Sequence, residues 1–131
     1  MLKDLYNNVK EYVALPAQAL TSDTDTAGVI IDTLNYEACN ISVLTGAVTA
    51  GDITITKVEE GDNSSLTDAA DVPAARIIGT ATAVDAANST DTIGVLSNKR
   101  YIRATFTTDN SANLVAAGLC VLGKPINATT R

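Results

Sequence analysis

From about residue 13 onward, apolar and polar positions alternate along most of the chain. Ile53 and Ile55, for example, alternate with Thr54 and Thr56, which is the period-two pattern of a strand that buries one face. Segments rich in Asp, Asn, Ser and Gly separate these runs, as turns do. The pattern predicts strands at residues 13–20, 27–33, 37–46, 52–59, 74–84, 91–97, 100–108 and 113–123. About eight short strands at this spacing favour an all-β fold, an antiparallel β-sandwich of the jelly-roll type.

The last predicted strand differs from the others because it does not alternate. Its sequence, LVAAGLCVLG at 114–123, contains no polar side chain. Such a strand is either central and covered on both faces, or its outer face meets another subunit. The sequence leaves both interpretations open.

The first residues follow a different period. Their apolar positions recur in steps of three and four, which places them on one face of a helix, and Pro16 would end that helix. We therefore predict an N-terminal helix or arm in residues 1–15 and a β-sandwich domain in residues 16–131. The segment is either a lid on one end of the sandwich or a docking arm that orders on a partner. Its apolar positions are Leu2, Leu5, Tyr6, Val9, Tyr12 and Val13.

Composition argues against several classes of function. The formal net charge is −6 and the pI about 4.4, which disfavours a nucleic-acid partner because phosphate binding gains from positive charge. The chain has no histidine, the commonest general base and metal ligand, so we expect no enzymatic activity. It has neither an apolar run of about 18 residues nor the pattern of a secretion signal, so we expect no membrane span.

Two further features concern cysteine and acidic loops. Cys39 and Cys120 each lie in an apolar run, far apart in sequence, so we predict two buried, reduced thiols; the alternative is a disulfide, for which the sequence gives no independent support. The segments TSDTDT at 21–26 and EEGDNSSLTDAADVP at 59–73 offer oxygen ligands of the kind that Ca²⁺ prefers, but without the spacing of an EF-hand. Whether one of these loops binds a cation stays open. No motif indicates a cofactor.

The segment SNKRYIRATFTT concentrates positive charge in an acidic chain. Strand alternation turns Ile102 and Phe106 toward the core and places Lys99, Tyr101 and Arg103 outside, whereas Arg100 has inward parity but lies at the mouth of a hairpin, where its charge can reach solvent. Tyr and Arg are enriched at protein–protein interfaces, so these residues either contact another protein or form ion pairs within the chain. In the first case, Arg103→Glu would leave the fold nearly intact and weaken attachment to a partner. The basic cluster comprises Lys99, Arg100, Tyr101 and Arg103.

Several motifs resemble those of a known group of proteins. In chain order they are SDTDT, VIIDTLNYEACNISVLTGAVTAGDITI, LTDAADV, IGVLSNKRYIRATFTT and LVAAGLCVLGKPINA. This order is similar to that of small tailed-phage structural proteins encoded with the head genes, the capsid decoration or cement proteins. The likeness covers about residues 20–127. Separately, LPAQALTSDTDTAGVIID resembles the opening of another phage cement family with a jelly-roll fold, whereas residues 1–12 match neither.

The resemblance implies a non-enzymatic β-sandwich on the outer surface of a phage capsid, assembled in the host cytoplasm, that stabilises the shell by bridging capsomers. It implies the phage major capsid protein as partner, a dimer or trimer on the shell, and no cofactor. The alternatives are another phage component, such as a head–tail connector, tail or fibre module, and a carbohydrate-binding β-sandwich. The candidate contacts with the capsid or another subunit are Leu2, Leu5, Tyr6, Lys99, Arg100, Tyr101 and Arg103.

Overall fold

A computed structural model describes residues 3–126 as an almost entirely β structure. Its strands are β1 (Val9–Leu20), β2 (Asp25–Ala27), β3 (Ile31–Asp32), β4 (Tyr36–Gly61), β5 (Ala70–Asp71), β6 (Ile77–Ile78), β7 (Thr90–Val95) and β8 (Tyr101–Pro125). All eight belong to one hydrogen-bonded sheet, in which every pair is antiparallel. Within residues 3–126 the helical element is one 3-10 turn at Ala74–Arg76. The predicted all-β, antiparallel fold is confirmed.

The fold is organised by β4 and β8, which are 26 and 25 residues long and pair with each other along almost their whole lengths. Both strands bend near the middle. In β4 the bend includes Gly51, whose φ of 75° suits glycine; in β8 it includes Asn110 and Ser111, with φ of 61° and 62°. The Asp23 carboxylate stabilises the second bend by accepting a hydrogen bond of 3.1 Å from the Ser111 N–H. The turns predicted at both places are therefore bends within continuous strands.

The two bends divide the sheet into halves that pack face to face around the core. β1 and β7 flank the central pair in one half, whereas β2, β3 and β5 flank it in the other. Phe106, on the first half of β8, reaches across to the second half, where its ring lies 2.8 Å from the place that a Cβ at Gly118 would occupy. The largest fully buried side chains are Phe106, Leu15, Ile31, Ile41, Ile53, Ile102, Leu122, Val43, Val95 and Cys120.

Of the predicted N-terminal helix or arm, the helix is absent in the described residues 3–15. Residues 5–8 form a single turn, and β1 then runs without interruption from Val9 across the predicted boundary at residue 15. Pairing with β8 overrides the helical spacing, because an extended strand lets this segment bury Ala14 and Leu15 against the core. Both face inward because the register shifts between Val13 and Leu15. Pro16 is tolerated since β1 is at the edge of the sheet.

Two of the predicted strands are also only partly correct. The segment 74–84 contains the 3-10 turn, the two-residue β6 and a single bridge at Val84. The segment 27–33 divides into β2 and β3 at Gly28, whose N–H donates to the Ala104 carbonyl at 2.8 Å. A Cβ at Gly28 would clash with the Ala14 carbonyl oxygen. The chain therefore leaves the sheet here in order to pass close to β1.

Candidate functional site

Two residues of the basic cluster are paired with carboxylates of the same chain. Lys99 Nζ lies 2.9 Å from an oxygen of Asp62. Arg100 donates from Nε and Nη2 to the two oxygens of Asp32, each at 2.8 Å, and such bidentate pairs are stronger than single hydrogen bonds. The hydrogen bond from Arg100 holds the pKa of Asp32 below its ordinary value. The same guanidinium lies 5.1 Å from the centre of the Tyr101 ring.

Arg103 is paired across the strands. It lies opposite Glu59 in the ladder between β4 and β8, with 3.3 Å between Nη2 and Oε2. Lys57 Nζ lies 3.3 Å from the other oxygen of Glu59, so one carboxylate joins two cations. The Arg103 side chain is only 26% exposed, and its buried Nε has no hydrogen-bond partner among the described residues. The structure thus shows the internal ion pair, and a contact of Arg103 with another protein stays a prediction.

The N-terminal candidates are the second predicted contact group. The Leu5 and Tyr6 side chains are 70% and 69% exposed, whereas Leu2 lies outside the described residues. The chain reverses between Leu5 and Val9, whose N–H donates to the Leu5 carbonyl at 3.1 Å, before it enters β1. The role of these side chains as contacts stays a prediction.

The loop between β3 and β4 brings both predicted groups to one end of the sandwich. The Thr33 N–H donates to the Arg100 carbonyl at 2.9 Å, and the Asn35 carbonyl accepts a hydrogen bond of 2.8 Å from the Ile126 N–H. The beginning and the end of β8 therefore lie on either side of this loop. Since β1 begins beside the end of β8, the N-terminal turn and the basic cluster share this end of the molecule.

The buried carboxylate of Glu60, which the sequence analysis did not identify, stabilises the same end of the sandwich. Glu60 is 6% exposed and accepts hydrogen bonds from Arg76, from the Ser97 hydroxyl and from the Asn98 N–H, the last two at 3.0 Å. The Arg76 guanidinium, helped by these donors, lowers the pKa of Glu60 to about 2. Arg76 also donates to the Leu96 carbonyl at 3.0 Å. The network fixes the segment that leads into β8, and no local sequence signal reveals it.

The second half of β8 presents a different surface. Its even-numbered residues from 112 to 122 are buried, and the odd-numbered residues between them point away from the core. With neighbours from β1 and β4 they form an apolar surface, which we call the outer face. Val13 and Val115 within it are 53% and 43% exposed. The outer face comprises Val13, Leu44, Val115, Ala117, Leu119 and Val121.

The outer face and its surroundings are almost uncharged. The register of β1, β4, β7 and β8 identifies the outward positions in the ranges 9–13, 38–44, 90–94 and 115–123. At these positions Glu11 is the one charged side chain, and the rest are Ala, Gly, Val, Leu, Ser, Thr and Asn. In a chain of net charge −6, this is the surface suited to contact an uncharged protein surface. β8 is central, but its outer face is not covered by any described part of the chain.

A cleft of about 440 Å³ opens between β4, β7 and the irregular segment that follows β5. Core side chains such as Ile55, Val72 and Ile93 form its walls, and Lys57 and Asp71 lie at its edge, 4.0 Å apart. These two charges pair with each other, and Thr56 and Thr80 add hydroxyl groups to the lining.

The acidic loops provide no metal centre in the described part of the chain. Within it, no three His, Cys, Asp or Glu side chains lie close enough together to hold an ion. In the 59–73 loop, the Asp68 carboxylate instead accepts backbone hydrogen bonds of 2.9 Å from Asp62 and 3.2 Å from Asn63. Residues 3–126 also contain no helix that is long and apolar enough to cross a membrane.

Comparison with known proteins reveals a shared fold. No family model matches the chain, and neither does any curated protein. Among solved structures, the PBSX exported protein XepA aligns with 87% of this chain at 19% identity and a TM-score of 0.56. The alignment covers 37% of XepA, so this chain spans little more than a third of that protein. The SPBc2 prophage-derived protein YomS aligns with 89% of this chain and 94% of its own, at 12% identity and a TM-score of 0.48.

Proposed function

We propose that this chain is a non-enzymatic structural protein of a tailed-phage particle, which binds the outer surface of the capsid and stabilises the shell by bridging capsomers. The observation that carries the proposal is the uncharged outer face, which nothing in the described chain covers. The resemblance of its motifs to decoration proteins and the fold that it shares with XepA support a phage origin.

In the mechanism that we propose, the outer face of the sheet makes the main contact with the capsid. Val115 and its neighbours on the outer face would pack against an apolar patch of the major capsid protein and remove both surfaces from water. Interfaces that bury less than about 1,200 Å² are usually weak, so we expect a single contact through this face to be weak. A dimer or trimer that touches two capsomers gains affinity because the second contact forms at high effective concentration.

When the outer face is bound to the capsid, the acidic residues elsewhere on the protein would face solvent. Most of the 15 acidic residues lie away from the outer face, so the exposed side of an attached copy would carry negative charge. Such a charge keeps particles apart and soluble. The basic cluster, whose cations are paired internally, would contribute to position rather than to the main part of the affinity.

The test is to mix the purified protein with capsids that lack it and to measure co-sedimentation and the temperature at which the shells open. We expect saturable binding and a higher opening temperature. Val115→Lys should abolish both effects, because it places a charge on the outer face, at its most exposed β8 position. Val29→Lys is the matched control, since Val29 is also 43% exposed but lies in the loop between β2 and β3.

Two results would contradict the proposal. Wild-type protein that stays in the supernatant would exclude attachment to the shell, and equal binding by both lysine variants would exclude the outer face. The number of copies in purified virions distinguishes a shell protein from the main alternative, another component of the phage particle. A few dozen copies or fewer would indicate a connector, tail or fibre component instead of a shell protein.

A further inference from the structure

The two cysteines, far apart in sequence, meet in the fold. Cys39 lies on β4 and Cys120 on β8, on the inner face of directly neighbouring strands. Cys120 pairs with Ile41 and Cys39 pairs with Leu122, so the two thiols are diagonal neighbours across the ladder. Their sulfur atoms are 3.5 Å apart, and both residues are free thiols in this structure.

The two thiols differ in their access to solvent. Cys120 is completely buried, whereas Cys39 is only partly buried and borders a small cleft of about 20 Å³. Thr33, Tyr36 and Ser97 share this cleft, close to the end of the sandwich that carries the basic cluster. The hydrogen bond with Cys120 and burial raise the pKa of the Cys39 thiol. A reagent in solution therefore meets Cys39 first, and slowly at neutral pH.

We propose that Cys39 and Cys120 are the site of an intramolecular disulfide, which forms when the protein meets a low-molecular-weight disulfide such as oxidised glutathione. The Cys39 thiolate attacks one sulfur of the oxidant, which leaves a mixed disulfide and releases one small thiol. The Cys120 thiolate then attacks the Cys39 sulfur and releases the second small thiol. Two electrons pass from the protein to the oxidant, and the two thiol protons leave with the two released thiols.

The bond would join the two strands on which the fold depends. It would close a loop between residues 81 positions apart, which restricts the unfolded chain far more than the folded one. Formation of the bond brings the sulfur atoms from 3.5 Å to about 2 Å, and because diagonal neighbours are farther apart than directly paired residues, the backbones of β4 and β8 must move closer together here. The disulfide would thus fix the register of β4 against β8 after the protein has left a reducing compartment. This inference does not depend on the partner that the outer face binds.

The experiment compares the full-length protein after incubation with oxidised glutathione and after incubation with dithiothreitol. We expect the oxidised sample to lose both titratable thiols and to yield a peptide that joins Cys39 to Cys120 in a map made without reductant. Its thermal midpoint should rise by roughly 10 °C, and dithiothreitol should reverse the shift. The half-buried Cys39→Ala variant is the control, and its midpoint should not respond to oxidant.

Other outcomes overturn the inference. If both thiols remain titratable in the folded protein at equilibrium, the contact is only core packing. A stable glutathione adduct on Cys39, or a disulfide between two copies of the chain, would show that Cys120 cannot complete the exchange. A lower midpoint in the oxidised sample would show that the bond strains the register instead of fixing it.

Discussion

The two halves of β8 use their outward side chains in opposite ways. In the first half, Arg103 is paired with Glu59, and the Thr107 hydroxyl donates to Asp25 at 2.6 Å. In the second half, the outward residues from Val115 to Val121 are apolar, and no described element covers them. The first half of β8 therefore uses its outward side chains to stabilise the fold, whereas the second half presents an uncharged surface.

The difference teaches that outward exposure alone does not identify a binding surface. The basic cluster is the more conspicuous feature in the sequence, but each of its cations is paired with a carboxylate of the same chain. An exposed ion pair has little left to offer a partner unless it is first broken. The outer face has no internal partner to give up, so it is the better candidate for attachment.

The largest expected effect comes from the side chain that connects the two halves. Phe106→Ala should lower the free energy of unfolding by about 3–5 kcal/mol, because it empties a fully buried site that touches Gly118 on the other half of β8. Denaturation in guanidinium chloride measures this loss. Val29→Ala, at an exposed site, should change the value by less than about 0.5 kcal/mol. A loss below about 1 kcal/mol for Phe106→Ala would mean that the halves do not depend on this contact.

Acid should lower the free energy of unfolding by protonating Glu60 at the ion-paired end of the molecule. The pKa of Glu60 is about 2, below its ordinary value of 4.5, so its ionised form stabilises the folded state above about pH 4.5. This contribution, about 3 kcal/mol, is lost as the pH falls from about 4.5 through 2. Unfolding measured from about pH 6 to pH 2 should show this slope in the wild type and less of it in Glu60→Gln. Equal slopes in both proteins would exclude Glu60 as the source.

The strand pattern in the sequence was sufficient for the fold class but not for the connections. The segments around Gly51 and Asn110 have the composition of turns, yet both are bends. Whether such a segment reverses the chain or only bends it depends on the strand that pairs on both sides, which no local pattern contains. The same limit applies to the first residues, where six apolar positions fit a helix until β8 is available as a partner.

The candidate site shows the same division between local and distant information. Alternation correctly placed Ile102 and Phe106 in the core, because parity along one strand is a local property. The partner of Arg103, Glu59, is 44 residues away, and only the register of β4 and β8 brings the two together. Pairing across strands, rather than the charge of a residue, decided what this surface offers to another molecule.

A moderate effect is expected from reversing the charge of Arg103. Arg103→Glu would place two carboxylates opposite each other beside β4, both largely buried, and should cost about 1–3 kcal/mol of unfolding free energy. The double variant Glu59→Arg with Arg103→Glu should recover only part of this loss, because it restores the pair across the strands but deprives Lys57 of its carboxylate partner. A single variant as stable as the wild type, with weaker attachment to capsids, would instead assign Arg103 to the interface.

The smallest expected effect is that of salt on attachment. If the outer face is the contact, raising sodium chloride from about 0.05 M to about 0.5 M should change the apparent Kd for capsids by less than about threefold, because burial of its apolar side chains does not depend on charge. Co-sedimentation at several salt concentrations measures this directly, and Val115→Lys should remain unable to bind throughout. A loss of affinity greater than about tenfold, in a protein whose folding is unchanged by salt, would point to the basic cluster. That result would reverse the roles of the two halves of β8, since the ion pairs would then have to open in order to bind.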